Sequence, residues 1–136
     1  RRTPNGVDMN RLLIISAVLT KRFGLKLHEQ DIFLNVIGGL KIDEPADDLA
    51  IAMALASSYY EKPLPNDMVF IGEIGLSGEL RPVSQLMTRL NEASKMGFKR
   101  AMIPRMKKKP SDAPEGLKLI EARNVGEALA FALPND

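Results

Sequence analysis

Few side chains in this sequence could perform chemistry, and the missing ones exclude whole classes of site. Among the 136 residues there is no cysteine, and His28 is the only histidine. A disulfide framework, a thiol nucleophile and a zinc site built from cysteines or several histidines are therefore excluded. Catalysis by a Ser–His pair would depend on His28 alone, which we interpret as a solvated loop residue.

Carboxylates cluster just before an alanine-rich segment, at Asp43, Glu44, Asp47 and Asp48. Such oxygen ligands suit Mg²⁺ or Ca²⁺, but negative charge also stabilises the first turn of a helix. Neighbouring positions on a helix point in different directions and make a poor acid–base pair. We therefore interpret the cluster as the capped, charge-compensated start of a helix.

The clearest charged feature is the run Lys107-Lys108-Lys109, with Arg105 just before it. Because the formal net charge is only +2, the distribution of charge matters more than its total. A lysine run is either a solvated loop or a contact for phosphates. Aromatic residues make up 5% of the chain, so we expect any nucleic-acid contact to be mostly to the backbone.

Alternating helices and strands must position these groups, and they predict one α/β or α+β domain. Apolar periodicity and capping residues predict helices over Asp8–Phe23, from Pro45 through Leu49–Leu55, from a Ser84 cap to Gly97, and over Val125–Leu133. Strands are predicted over Asp31–Ile37, Met68–Ile74, Phe98–Ile103 and Leu117–Glu121, with a hairpin at Gly75 and Gly78 leading to Glu79–Val83. No phosphate-binding glycine loop accompanies these elements.

The stretch from Gly72 to Val83, together with Ala93 to Pro104 after the next helix, resembles the proteolytic domain of Lon-type proteases. The Asp-Gly-Pro-Ser-Ala-Gly box that carries the nucleophile of that family corresponds here to Asp43–Asp48. By this resemblance Ala46 stands at the position of the serine and Met87 at the position of the catalytic lysine. A Ser–Lys dyad needs a hydroxyl and an amine, so the resemblance implies a catalytically inactive domain.

Essentially the whole chain resembles the C-terminal domain of the bacterial RadA (Sms) family of DNA-repair and recombination proteins. The motifs are Asn10-Arg11-Leu12, Leu34–Gly39, Glu44–Ala50 and Gly72–Arg81. The resemblance implies an α/β (α+β) fold that is Lon protease proteolytic-domain-like and ribosomal protein S5 domain 2-like, a two-layer helix/sheet sandwich. It also implies that residues 1–136 form one domain from the C-terminal part of a longer chain.

The same resemblance implies a cytoplasmic homo-oligomer, a hexamer, that moves on single-stranded DNA and recombination intermediates by ATP-driven branch migration, with no membrane contact. ATP, Mg²⁺ and Zn²⁺ are implied for the full-length protein, and no cofactor is expected within this segment.

Three functions stay open at this point. The first is a non-catalytic scaffold that supports assembly and contacts the DNA backbone, for which charge and placement indicate Arg11, Lys21, Arg22, Arg105, Lys107, Lys108 and Lys109. The second is a Lon-type serine peptidase with an unrecognised nucleophile, for which Ser57, Ser58 and Ser94 are conceivable. The third is a purely structural oligomerisation module that leaves DNA contact to the rest of the protein.

Overall fold

The computed structural model describes residues 9–25 and 44–135, and helices alternate with strands along these ranges. The helices are α1 (Met9–Phe23), α2 (Asp48–Tyr60), α3 (Leu86–Lys95) and α4 (Val125–Ala132), and a 3₁₀ turn spans Pro45–Asp47. The strands are β1 (Met68–Phe70), β2 (Glu73–Ile74), β3 (Leu80–Arg81), β4 (Arg100–Pro104) and β5 (Lys118–Ala122). The predicted strand Asp31–Ile37 and His28 lie outside the described residues.

Three strands form a parallel sheet in the order β1-β4-β5, with Phe70 opposite Met102 and Met102 opposite Ile120. Strands β2 and β3 form a separate antiparallel hairpin, in which Glu73 lies opposite Arg81. Because the carboxyl ends of parallel strands share one edge of a sheet, the segments that follow β1, β4 and β5 emerge at the same edge. Gly72, the loop that begins at Arg105, and Arg123 follow these three strands and therefore lie at that edge.

The strand predicted over Met68–Ile74 is broken after Phe70. The amide of Ile71 still donates to the carbonyl of Met102 at 2.9 Å, but the next residue turns away from the sheet. The Gly72 amide donates to the carbonyl of Ala46 at 2.9 Å, and a Cβ at Gly72 would lie 3.3 Å from the Pro104 ring. The absence of a side chain lets the chain pass close to β4 and join the 3₁₀ turn.

Apolar clusters cover both faces of the sheet. Side chains alternate along β4, so Met102 belongs to the cluster beneath α1, α2 and α4, whereas Ala101 and Ile103 belong to a second cluster with Leu90 of α3. Helix α2 is buried on most sides, as its all-round apolar sequence predicts. Because α3 covers the second face, the described residues differ from the two layers expected from the resemblance.

The start of α3 differs from the prediction. The cap residue is Gln85 rather than Ser84, and it adopts a left-handed backbone conformation with φ = +55° and makes no side-chain cap bond. The prediction of a Ser84 cap is therefore wrong. A serine before a segment with helical apolar periodicity is a common signal for a helix start. This signal carries no information about the turn between β3 and α3, which decides the residue at which the helix begins.

Candidate functional site

Ala46 lies in the 3₁₀ turn before α2 and is buried, with 4% of its surface exposed. Its carbonyl accepts the Gly72 amide, and the Gly72 carbonyl accepts the amide of Leu49 at 3.0 Å. These two backbone hydrogen bonds fasten the turn to the segment between β1 and β2. The position is set by main-chain groups, so it does not depend on which side chain stands at residue 46.

Met87 lies in the first turn of α3 and packs into the same apolar cluster as Ala46, on the α3 face of the sheet. The structure therefore places the two positions that the resemblance paired in one apolar cluster. Neither side chain can supply the hydroxyl or the amine of a Ser–Lys dyad. Instead, the thioether of Met87 packs against this cluster, as methionine commonly does in irregular gaps.

A cavity of about 390 Å³ opens beside Ala46. Its lining residues are Glu44, Pro45, Ala46, Glu73, Pro82, Val83, Ser84, Gln85 and Arg89. The cationic group in the cavity is already engaged, because Arg89 Nη2 lies 2.6 Å from Glu44 Oε1 and Arg89 Nε donates to the Ser84 carbonyl at 3.0 Å. Arginine does not act as a proton acceptor in proteins, and no lysine lines the cavity among the described residues, so the cavity lacks the amine of a Ser–Lys dyad.

The serines considered as alternative nucleophiles do not acquire a lysine partner. The Ser57 hydroxyl donates to the carbonyl of Lys62, whose ammonium group donates to the Pro134 carbonyl at 3.0 Å. Ser58 is exposed on α2 and Ser94 is half-buried on α3. Among the residues that the structure describes, these serines have surroundings typical of helix hydroxyls.

Asp48 has a role that the sequence analysis did not predict. Its side chain is 2% exposed, Oδ2 accepts the Ile74 amide at 3.0 Å, and Arg11 Nη1 lies 3.3 Å from both carboxylate oxygens. Burial raises the pKa of the Asp48 carboxyl to about 6, although the Ile74 amide and Arg11 oppose that rise. Asp48 thus ties α1 and β2 to the start of α2. Asp48 lies in the first turn of α2, as the interpretation of the acidic cluster expects, but its hydrogen bond to Ile74 and its ion pair with Arg11 were not predicted.

The predicted phosphate contacts fall into three places. Arg11 is occupied by Asp48, and its side chain is 22% exposed. Lys21 and Arg22 are exposed at the end of α1. Arg22 lies beside the β2–β3 hairpin, because a Cβ placed on Gly78 would be 3.6 Å from Arg22 Cδ. The third group lies in the loop after β4, where Arg105, Lys107, Lys108 and Lys109 are all exposed.

Two further cations lie close to these groups and were missed by the sequence analysis. Arg81, on β3, lines one cavity together with Arg11. Arg123, just after β5, makes two hydrogen bonds to Glu127 that hold the pKa of that carboxyl below its usual value, with a smaller contribution from Arg105. Neither arginine belongs to a run of basic residues in the sequence, so sequence spacing did not indicate them. Only the fold places them near the carboxyl edge of the sheet.

No group of histidine, aspartate or glutamate side chains within residues 9–25 and 44–135 is arranged to hold a metal ion. In the same ranges, no helix is long and apolar enough to cross a membrane.

Comparison with known proteins gives two results. Residues 8–107 match the family model described as subunit ChlI of Mg-chelatase. Proteins named DNA repair protein RadA are 48% identical over 95% of this chain in Streptococcus pyogenes serotype M1, 49% over 98% in Synechocystis sp. PCC 6803, and 45% over 99% in Listeria monocytogenes. The chain spans 28%, 26% and 30% of these relatives' lengths, respectively. The resemblance to proteins of the RadA family is thereby confirmed.

Proposed function

Because the chain belongs to the family described as subunit ChlI of Mg-chelatase and resembles RadA proteins along nearly its whole length, we propose that it is a non-catalytic, Lon-like scaffold domain of a RadA-type DNA-repair protein. In this role it supports assembly of a hexamer and contacts the DNA backbone during ATP-driven branch migration in the cytoplasm. The carrying observation is the 45–49% identity to proteins named for DNA repair.

The packing at residues 46 and 87 supports a non-enzymatic role. Both positions contribute to one apolar cluster, and the neighbouring arginine is held by Glu44. A fold can keep its packing after the chemistry is lost, because fold and function are separable. The peptidase alternative has no such support, since Ser57 donates to a carbonyl rather than to an amine.

This proposal places the binding of ATP, Mg²⁺ and Zn²⁺ outside the segment. The sequence has no cysteine and no glycine-rich phosphate loop. No metal-holding cluster exists in the described ranges. If the longer protein binds these groups, it does so through residues beyond this segment, and the domain's own contribution is mechanical and electrostatic.

For the DNA contact, the loop after β4 is the best-placed group. Its three lysines are exposed, and no carboxylate of the described residues forms an ion pair with Lys107, Lys108 or Lys109. A free ammonium group that approaches a phosphate releases a counterion, which makes binding depend on salt. The guanidinium group of Arg11, in contrast, is paired with the Asp48 carboxylate and would have to leave it before it could bind a phosphate.

The test is the affinity of the chain for single-stranded DNA across a salt series, comparing K107A/K108A/K109A with K95A/K99A/K118A. The control removes the same charge at three exposed lysines near the opposite, amino edge of the sheet. We expect the first variant to bind more weakly and to lower the salt slope by about 0.7 for each phosphate that it no longer neutralises. Unchanged affinity and slope, with the oligomer intact, would instead favour a purely structural oligomerisation module.

A further inference from the structure

Leu76 is an apolar side chain at the tip of the β2–β3 hairpin, and 75% of its surface is exposed. The tip is held firmly: Gly78 donates to the Gly75 carbonyl at 2.9 Å, and Gly75 donates to the Glu79 carbonyl at 2.9 Å. The Glu79 carboxylate folds back over Gly75 to accept the Ser77 amide at 3.1 Å. These hydrogen bonds fix the backbone of the tip and so keep Leu76 at the surface.

A large hollow of about 650 Å³ lies between this leucine and the C-terminal half of α1. Its described lining combines the apolar residues Ala17, Val18 and Leu76 with the cationic residues Lys21 and Arg22. No carboxylate lines it among the residues that the structure describes. The smaller neighbouring cavity, in contrast, contains the carboxylates of Asp48 and Glu73. An anion with an apolar face therefore suits the larger hollow and not the smaller one.

We infer that this hollow is a nucleotide subsite for single-stranded DNA, in which a base packs against Leu76 and the adjoining phosphates meet Lys21 and Arg22. The inference rests on the proposed DNA-binding function and deepens it. Unpaired bases expose flat apolar faces that pack on protein side chains, whereas those of a duplex are stacked on one another. It also departs from the expectation of contacts mostly to the backbone.

A second copy of the chain is a poorer occupant. In a two-fold contact the same surface meets itself, so Lys21 and Arg22 would face the identical cations of the partner. No acidic residue lines the hollow to offset that repulsion in the described part of the chain. The charge of the lining thus favours a polyanion over a two-fold self-contact. A ring contact would bring a different face of the neighbouring chain to the hollow, and the oligomeric state of the Leu76 variant distinguishes that occupant from DNA.

The test compares Leu76→Ala with the wild-type chain on two probes, an oligothymidylate and an abasic oligodeoxyribose phosphate of equal length. Met96→Ala is the matched control, because Met96 is also 75% exposed but lies at the end of α3. We expect L76A to weaken oligothymidylate binding by about 5-fold, the loss expected when a base no longer covers part of an exposed leucine side chain. Binding of the abasic probe, the salt slope and the midpoint of urea unfolding should be unchanged.

A second variant, K21A/R22A, should weaken binding of both probes and lower the salt slope, since it removes phosphate contacts. The inference is overturned if L76A and M96A behave alike, if L76A affects both probes equally, or if L76A changes the oligomeric state. If one of these outcomes is found but K107A/K108A/K109A still reduces the affinity for DNA, only the subsite is refuted and the proposed function is unaffected. If the wild-type chain binds neither probe at low salt, the proposed function itself fails.

Discussion

Replacing the buried Asp48 by asparagine should remove a pH-dependent loss of stability. The folded carboxyl has a pKa of about 6, against 3.8 for the free group, and burial is the main cause. Asparagine keeps a carbonyl oxygen for the Ile74 amide and has nearly the same size, but it never ionises. The comparison therefore isolates the charge on a carboxyl that faces Arg11, Glu73 and the polar start of α2.

The sign follows from proton binding. Between the two pKa values the unfolded chain has lost the proton at residue 48 while the folded chain still holds it. Since the unfolded state binds fewer protons, this group's contribution to stability is complete below the unfolded pKa and is lost as the pH rises through the folded one. At about 1.4 kcal/mol for each pKa unit, the loss amounts to roughly 3 kcal/mol.

Urea unfolding of wild type and Asp48→Asn from about pH 3 to about pH 8 measures this difference. The other carboxylates titrate in both proteins and cancel. We expect the free energy of unfolding of D48N, relative to wild type, to rise by about 3 kcal/mol across that range. Asp67→Asn is the control, because the Arg100 hydrogen bond lowers the pKa of Asp67, so its ionised form gains stability as the pH rises.

Two results would refute the reasoning about Asp48. A difference between D48N and wild type that is constant with pH would mean that the carboxyl does not titrate in this range. A difference that moves in the D67N direction would mean that Arg11 holds Asp48 ionised and outweighs its burial.

Three more predictions test packing and local hydrogen bonds, each by urea unfolding. Gly75→Ala should cost no more than about 1 kcal/mol, because the new Cβ would displace only the flexible, exposed Glu79 carboxylate from the Ser77 amide; in a Glu79→Ala background that cost should disappear. Asn124→Ala should cost about 1 kcal/mol, because Asn124 Oδ1 caps α4 by accepting the Glu127 amide at 2.8 Å, and DNA affinity should not change. Met87→Lys should cost about 1–3 kcal/mol without creating peptidase activity, because it places an amine in an apolar cluster that holds no hydroxyl for it to activate.

Regular elements could be predicted wherever apolar periodicity and end signals agree. Helix α1 ends at Phe23 before Gly24, which adopts φ = +71°, as predicted. The closing helix was predicted over Val125–Leu133 and is observed over Val125–Ala132. In both, most of the apolar face is buried: Ile15, Val18 and Leu19 in α1, and Val125, Ala128 and Ala132 in α4. Local preference and tertiary packing therefore act in the same direction.

Prediction failed where a tertiary hydrogen bond decided the local structure. The apolar run Met68–Ile74 has the composition of one strand, yet Gly72 leaves the sheet to bond Ala46, which lies 26 residues earlier. Asp48 resembles any acidic residue at a helix start until Arg11 and Ile74 are placed beside it. Such contacts join distant parts of the chain, and neither composition nor spacing reports them.

The geometry around residue 46 shows that the shape of this turn does not depend on a reactive side chain. Main-chain hydrogen bonds through Gly72 hold the turn, and the Asp48 carboxylate holds β2 by accepting the Ile74 amide. None of these contacts uses the side chain of residue 46. Apolar residues at two positions that would otherwise hold a polar pair can be neutral or stabilising. Ala46 and Met87 satisfy that condition, since they contribute to one apolar cluster. A hydroxyl at residue 46 or an amine at residue 87 alone would lack its partner, and this favours keeping both positions apolar.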